Sequence, residues 1–170
     1  MVRECVALSV AALVPGCSLI LNFDESAPVD ASIDAPYTQA ECDYKEPNNS
    51  LADAVMIDPS TDTGPAAICK PMTSGSPEDE DFYKFTVVNA SVTVSITFMN
   101  RTMGDLDIKL WDAANMTNPV AQSRGFGDGE TITCPGASPS CPTLTPGDYI
   151  LQVFPAVPGS VNSYTFMIMP

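Results

Sequence analysis

The chain has 170 residues with 21 acids against 7 bases, a formal net charge of −14, and no histidine. That balance excludes imidazole chemistry, whether a Ser/His/Asp or Cys/His relay or a His-ligated zinc. It also excludes nucleic acid as a partner, because there is no basic footprint to meet a phosphate backbone.

In chain order the first element is an export signal over residues 1–16. Arg3 precedes an apolar run at 6–14, which Pro15 and Gly16 end just before Cys17. A membrane-spanning helix needs about 20 apolar residues, so this run is too short to stay in a bilayer and suits removal. Its VPGC ending resembles the bacterial lipobox, in which a cysteine after a small residue receives diacylglycerol and becomes the mature N-terminus. Cys17 is therefore the expected lipidation site and membrane anchor. Ser18, in place of an acid, resembles lipoproteins sorted to an outer membrane, so the expected location is the bacterial cell envelope. Residues 17–41 then form a linker. Five acids, no base and an excess of Ala, Ser and Pro leave it too little apolar surface to bury.

The remaining residues, 42–170, make one domain with four cysteines, Cys42, Cys69, Cys134 and Cys141. An even number in an exported chain points to disulfides. Four cysteines allow three connectivities, of which the short CPGASPSC loop favours Cys134 with Cys141 and leaves Cys42 with Cys69. A thiolate metal site is the alternative, disfavoured because the sequence has no CxxC pair.

The chain then alternates with a period of two. Tyr83, Phe85 and Val87 alternate with Lys84 and Thr86, and Val92, Val94, Ile96 and Phe98 with Thr93, Ser95 and Thr97. Leu106, Ile108 and Leu110 follow, then shorter runs at 120–123 and 130–133, and two long strands around Tyr149, Leu151 and Val153 and around Tyr164, Phe166 and Ile168. Such segments are half-buried strands. A type II turn is expected at Thr145-Pro146-Gly147-Asp148, a glycine-rich link at 125–129, a break at Pro158-Gly159, and one helical turn at 50–54 capped by Asn49. The pattern is all-β, an antiparallel β-sandwich of about 7–9 strands.

Four ordered segments carry a resemblance: EPNNSLADA at 46–54, EDEDFYKFTV at 78–87, DLDIKLWDA at 105–113 and LTPGDYILQVF at 144–154. Together they resemble the bacterial pre-peptidase C-terminal domain, a family that includes the collagen-binding modules of secreted collagenases. The resemblance implies a jelly-roll sandwich that serves secreted or surface proteins as a binding, solubility or targeting module. Some members bind calcium, and the matching positions here are Glu46, Asn48 and Asn49 in one group and Glu78 and Asp81 in the other, with Asp79 adjacent. Calcium takes six to eight oxygen ligands at about 2.3–2.6 Å, which carboxylates and amide carbonyls from two loops can supply. The chain departs from the family where Asn49 replaces the commoner Asp and where Lys45 precedes Glu46.

Asp105 and Asp107 project from one strand face, a pairing that invites comparison with glycosidases. The resemblance instead gives them to a structural strand start. Collagen-binding relatives expose aromatics near the penultimate strand, where this chain has Phe154 but also Ala156. With Tyr149, Leu151 and Val153 facing the core, Ile150, Gln152 and Phe154 face outward as an apolar strip and candidate ligand surface, while Trp111 is expected at the core rim. The expected function is a non-catalytic extracytoplasmic binding module on a lipoprotein, calcium-stabilised, with a protein, polysaccharide or envelope component as ligand. A structural surface lipoprotein without a specific ligand is the alternative, and a carboxylate hydrolase comes last.

Overall fold

The computed structural model describes residues 37–70, 78–99 and 102–169; the export signal, Cys17 and the linker up to residue 36 lie outside the described residues. The first described element is a single helical turn, α1 (Gln39–Cys42), begun by a capping box in which the Thr38 hydroxyl accepts from Glu41 N–H and the Glu41 carboxylate answers the Thr38 N–H. It lies within the stretch expected to be linker, and Lys70 N–H donates to the Tyr37 hydroxyl at 3.1 Å, so folded structure starts before Cys42. No helix forms at 50–54, where only a turn is found.

Among the described residues eleven strands follow: β1 (Val55–Met56), β2 (Ala66–Ile68), β3 (Asp81–Val87), β4 (Val92–Phe98), β5 (Leu106–Asp112), β6 (Ala121–Ser123), β7 (Gly129–Cys134), β8 (Gly136–Ala137), β9 (Ser140–Cys141), β10 (Gly147–Pro155) and β11 (Asn162–Met169). They make a five-stranded sheet ordered β1-β3-β10-β5-β6, a four-stranded sheet ordered β2-β11-β4-β7, and a small β8-β9 ribbon. The fold is an all-β sandwich, as expected. All pairings are antiparallel except β1 with β3, which is parallel.

The alternation explains the packing. Tyr83, Phe85 and Val87 of β3, Leu106, Ile108 and Leu110 of β5, and Tyr149, Leu151 and Val153 of β10 point inward from one sheet; Val92, Val94, Ile96 and Phe98 of β4, Ile132 of β7, and Tyr164, Phe166 and Ile168 of β11 meet them from the other. Truncating a fully buried ring such as Phe85 to alanine would cost about 3–5 kcal/mol.

The expected turn before β10 is built differently. Gly147 does not have the positive φ that a type II turn needs and instead starts the strand; the Tyr149 hydroxyl anchors the entry by donating to Thr145 O at 2.9 Å and accepting Thr145 N–H at 3.2 Å. The Pro158-Gly159 break is a tight turn, with Gly159 at φ 82 and Ser160 N–H bonded to Val157 O at 3.0 Å. The cysteines pair Cys42 with Cys69 and Cys134 with Cys141.

Candidate metal centre

Two segments meet at the start of β3. One runs from α1 to β1 and carries Glu46, Asn48 and Asn49, and the other leads into β3 with Glu78, Asp79, Glu80 and Asp81. Phe82 N–H donates to Asn48 O at 3.0 Å, which fixes the first segment beside the strand. Cys69 N–H donates to Asp79 Oδ2 at 2.7 Å, and Cys69 is itself cross-linked to Cys42. The result is that Glu46, Asp79 and Asp81 each offer a carboxylate oxygen within 4.8 Å of the others.

Asn48, with 0% exposure, fills the gap between two of them. In the amide orientation that satisfies its neighbours, Nδ2 donates to Glu46 Oε1 at 3.1 Å and to Asp81 Oδ1 at 3.0 Å. The other Glu46 oxygen accepts Asn48 N–H and Asn49 Nδ2, each at 3.0 Å. Beneath the cluster the Tyr164 hydroxyl donates to Asp81 Oδ2 and is bonded to the Tyr83 hydroxyl at 2.9 Å.

Burial dominates the electrostatics. It pushes the Glu46 carboxyl up, with the Asn48 N–H opposing and the Asp79 charge adding to it; it pushes Asp79 up against the Cys69 N–H; and it drives Asp81 well above the usual carboxylate range despite the Tyr164 hydrogen bond. Lys45 does not relieve this. Its backbone takes a left-handed φ of 61 and its Nζ pairs with Asp62 at 2.9 Å. Three carboxylates offer hard oxygen donors, and the nearest sulfurs are committed to a disulfide, so the cluster could hold a hard divalent cation.

Of the six positions the sequence suggests, Glu46, Asp79 and Asp81 converge, Asn48 lies between them and Asn49 is an exposed rim residue. Glu78 is not brought in, because its Oε1 accepts Gly159 N–H at 2.8 Å and so faces the β10–β11 turn. The two tyrosine hydroxyls were not anticipated. Their rings sit at inward positions and read as core, although a buried tyrosine needs a partner for its hydroxyl.

A second acidic group lies at the start of β5. Asp107, only 4% exposed, faces away from the core and has its carboxyl pushed up to about 6, first by burial and then by Glu130 and Asp105, with Arg124 opposing. Arg124 Nε stands 4.0 Å from Asp107 Oδ2, and the Oδ1 atoms of Asp105 and Asp107 are shielded without a hydrogen-bond partner among the described residues. Glu130 is satisfied separately, by the Ser123 hydroxyl and by Gly125 N–H at 2.8 Å. A groove of about 480 Å³ between Lys84, Asp112 and Tyr149 and a cavity of about 130 Å³ beside Cys69 and Glu78 are both lined without Asp105 or Asp107.

Ile150, Gln152 and Phe154 do face away from the core, yet they are only 2%, 4% and 8% exposed. The expected open apolar strip is therefore covered. Lys109 Nζ lies 4.2 Å and the Arg124 guanidinium 5.4 Å from the Phe154 ring centre, while Gln152 accepts from Trp111 Nε1 at 2.9 Å and donates to Glu80 at 2.6 Å. Trp111 stands half-buried on this outer face, opposite Ile150 in the register, outside the core where its rim was expected.

No described helix is long and apolar enough to cross a membrane. No family model matches the chain, and no curated protein matches it. Among solved structures it is similar to the pre-peptidase C-terminal domain of collagenase from Bacillus anthracis, with 17% identity and a TM-score of 0.47 over 68% of this chain and 94% of that one. That domain is of the kind whose landmarks the sequence resembles.

Proposed function

We propose that the chain is a non-catalytic extracytoplasmic binding module, stabilised by calcium and carried by a lipoprotein anchored through Cys17 in the bacterial cell envelope, at the outer membrane. Its ligand is an extracellular protein, a polysaccharide or another envelope component. The convergence of Glu46, Asp79 and Asp81 within 4.8 Å carries the calcium part of this reading. Those three residues would hold the ion, with the Asn48 amide able to turn its carbonyl toward it. A dication at this position offsets the charge that burial opposes and joins the segment after α1 to β3. The non-catalytic reading is supported by the lack of histidine and by Asp105 and Asp107 lining neither of the two described cavities.

A thermal melt of the protein in calcium and in excess chelator tests the ion. At a calcium concentration 100 times Kd the stabilisation is about 2.7 kcal/mol, which for a domain of this size is a rise of roughly 5–10 °C. The rise should vanish in Asp81→Ala; equal melts of the parent protein in both buffers would remove calcium from the account. The coverage of Ile150, Gln152 and Phe154 favours a second reading, a structural surface lipoprotein without a specific ligand. Passing an extract over collagen, polysaccharide and cell-wall resins separates the two, since a structural protein is depleted by none of them.

A further inference from the structure

We propose that the Cys42–Cys69 disulfide sets the cation affinity of the Glu46, Asp79 and Asp81 cluster, so that the oxidised protein binds calcium tightly and bound calcium protects this disulfide from reduction. The inference rests on the calcium reading and adds to it a redox control that the second disulfide does not share.

The geometry is specific. Glu46 lies four positions after Cys42, on the segment that α1 begins, and Asp79 belongs to the segment entering β3. Nothing in the chain's continuity holds these two donors together. Besides the Phe82–Asn48 bond, the link is Cys69: its N–H holds Asp79 Oδ2 at 2.7 Å, and its sulfur bonds Cys42 across a Cα separation of 5.9 Å. One residue thus orients one ligand through its backbone and restrains the segment bearing another through its side chain. Asp81 depends less on it, being carried by β3 and held from below by Tyr164.

Cleavage would loosen the site without dismantling it. Tyr44 still packs against Tyr83 and Phe166 with ring centres 6.4 and 6.3 Å apart, Lys45 still pairs with Asp62, and Phe82 N–H still holds Asn48 O. The affinity should therefore fall rather than disappear. Access also distinguishes the two bridges. Cys42 and Cys69 are half-buried, whereas Cys134 and Cys141 are 0% and 4% exposed and close a loop that contains none of the cluster. Thiol attack needs access, so an external dithiol reaches the Cys42–Cys69 bond first. In that exchange the Sγ–Sγ bond takes up two electrons and two protons to give two thiols, and the dithiol becomes its own disulfide. Linkage makes the effect reciprocal: whatever factor reduction takes from calcium affinity, calcium takes from the ease of reduction.

Calorimetric titration of the full chain with calcium tests this in three forms: oxidised parent, Cys42→Ala/Cys69→Ala, and Cys134→Ala/Cys141→Ala. The expected result is a Kd at least tenfold weaker in the first variant and unchanged in the second. Equal affinity in parent and first variant overturns the redox inference and leaves the calcium site standing. A parent that does not bind calcium overturns both. A similar loss in both variants also overturns it, because the effect would then be general loosening. If Cys42→Ala/Cys69→Ala does not fold, equilibration of the parent in dithiol buffers with and without calcium decides, with thiols alkylated and assigned by peptide mass spectrometry. A tenfold coupling moves the Cys42–Cys69 midpoint by about 30 mV. An unmoved midpoint overturns the inference.

Discussion

Two acidic groups, one on the inward side at the start of β3 and the other on the outward side at the start of β5, have opposite fates. Around Glu46, Asp79 and Asp81 the carboxylates converge from two chain segments, their other lone pairs are taken by Asn48, Asn49, Cys69 and Tyr164, and the nearby Lys45 turns to Asp62. Around Asp105 and Asp107 the carboxylates follow one another at the entry to β5, two oxygens lack partners among the described residues, and Arg124 and Lys109 supply the positive charge. A group that is hydrogen-bonded on its far side and short of positive charge on its near side is prepared for a cation. A group already facing a guanidinium is not. Buried acids alone therefore do not identify a metal site; what matters is where the compensating charge comes from.

The largest effect that would break this contrast is expected from Asn48→Asp. The substitution exchanges a buried donor shared by Glu46 and Asp81 for a fourth carboxylate facing them. In chelator it should cost about 3 kcal/mol, the scale of an uncompensated buried charge. In millimolar calcium most of that loss should be recovered and the affinity should tighten, since added ligand charge favours the ion. Denaturant unfolding in the two buffers reads the difference. Equal destabilisation in both would mean that no cation balances these carboxylates.

The same contrast shows what the sequence makes legible. Strands β3, β4, β5, β10 and β11 follow their alternation because an inward residue every second position leaves one register that buries the apolar face. The two-residue strand β1 and three-residue β2 are too short to show a period, and α1 is a single turn whose signal is its cap rather than its face. At the site, the run Glu78 to Asp81 is acidic throughout, so spacing cannot tell which side chains converge. The choice is made by distant groups, Gly159 drawing Glu78 away and Cys69 drawing Asp79 in. The outward direction of Ile150, Gln152 and Phe154 is legible from alternation, but their coverage is not, because it comes from side chains distant in sequence, Lys109 and Arg124 over the Phe154 ring and Trp111 and Glu80 on Gln152.

A smaller effect sharpens the other half of the comparison. The Asp107 carboxyl, pushed up to about 6, lies above the roughly 3.9 of an unfolded chain, so the native state binds its proton more tightly. Its contribution to stability therefore falls as pH rises from about 4 to about 6, and the full penalty persists above that. Asp107→Asn removes the titration. The variant should match the parent at pH 4 and exceed it at pH 7 by on the order of 1 kcal/mol, after allowing for solvent screening at the sheet rim. Its calcium response should be that of the parent. Parallel stability curves from pH 4 to 7 would show that Asp107 carries no such penalty.

The smallest expected effect is that of Arg124→Ala. Its side chain is 54% exposed and its Nε stands 4.0 Å from Asp107, so the direct loss should stay within about 1 kcal/mol. The informative part is its coupling. Arg124 holds the Asp107 carboxyl down, so removing it should move the pH transition upward, and this shift must be absent when Asp107 is already asparagine. What remains in the Asp107→Asn background is the contact of the guanidinium with the Phe154 ring, an interaction of about 0.5–1 kcal/mol at a surface that is insensitive to pH. A double-mutant cycle at pH 5 and pH 7 separates the two contributions. If the cycle shows no pH-dependent coupling, Arg124 does not balance Asp107, and the distinction drawn between the two acidic groups would have to rest on hydrogen bonding alone.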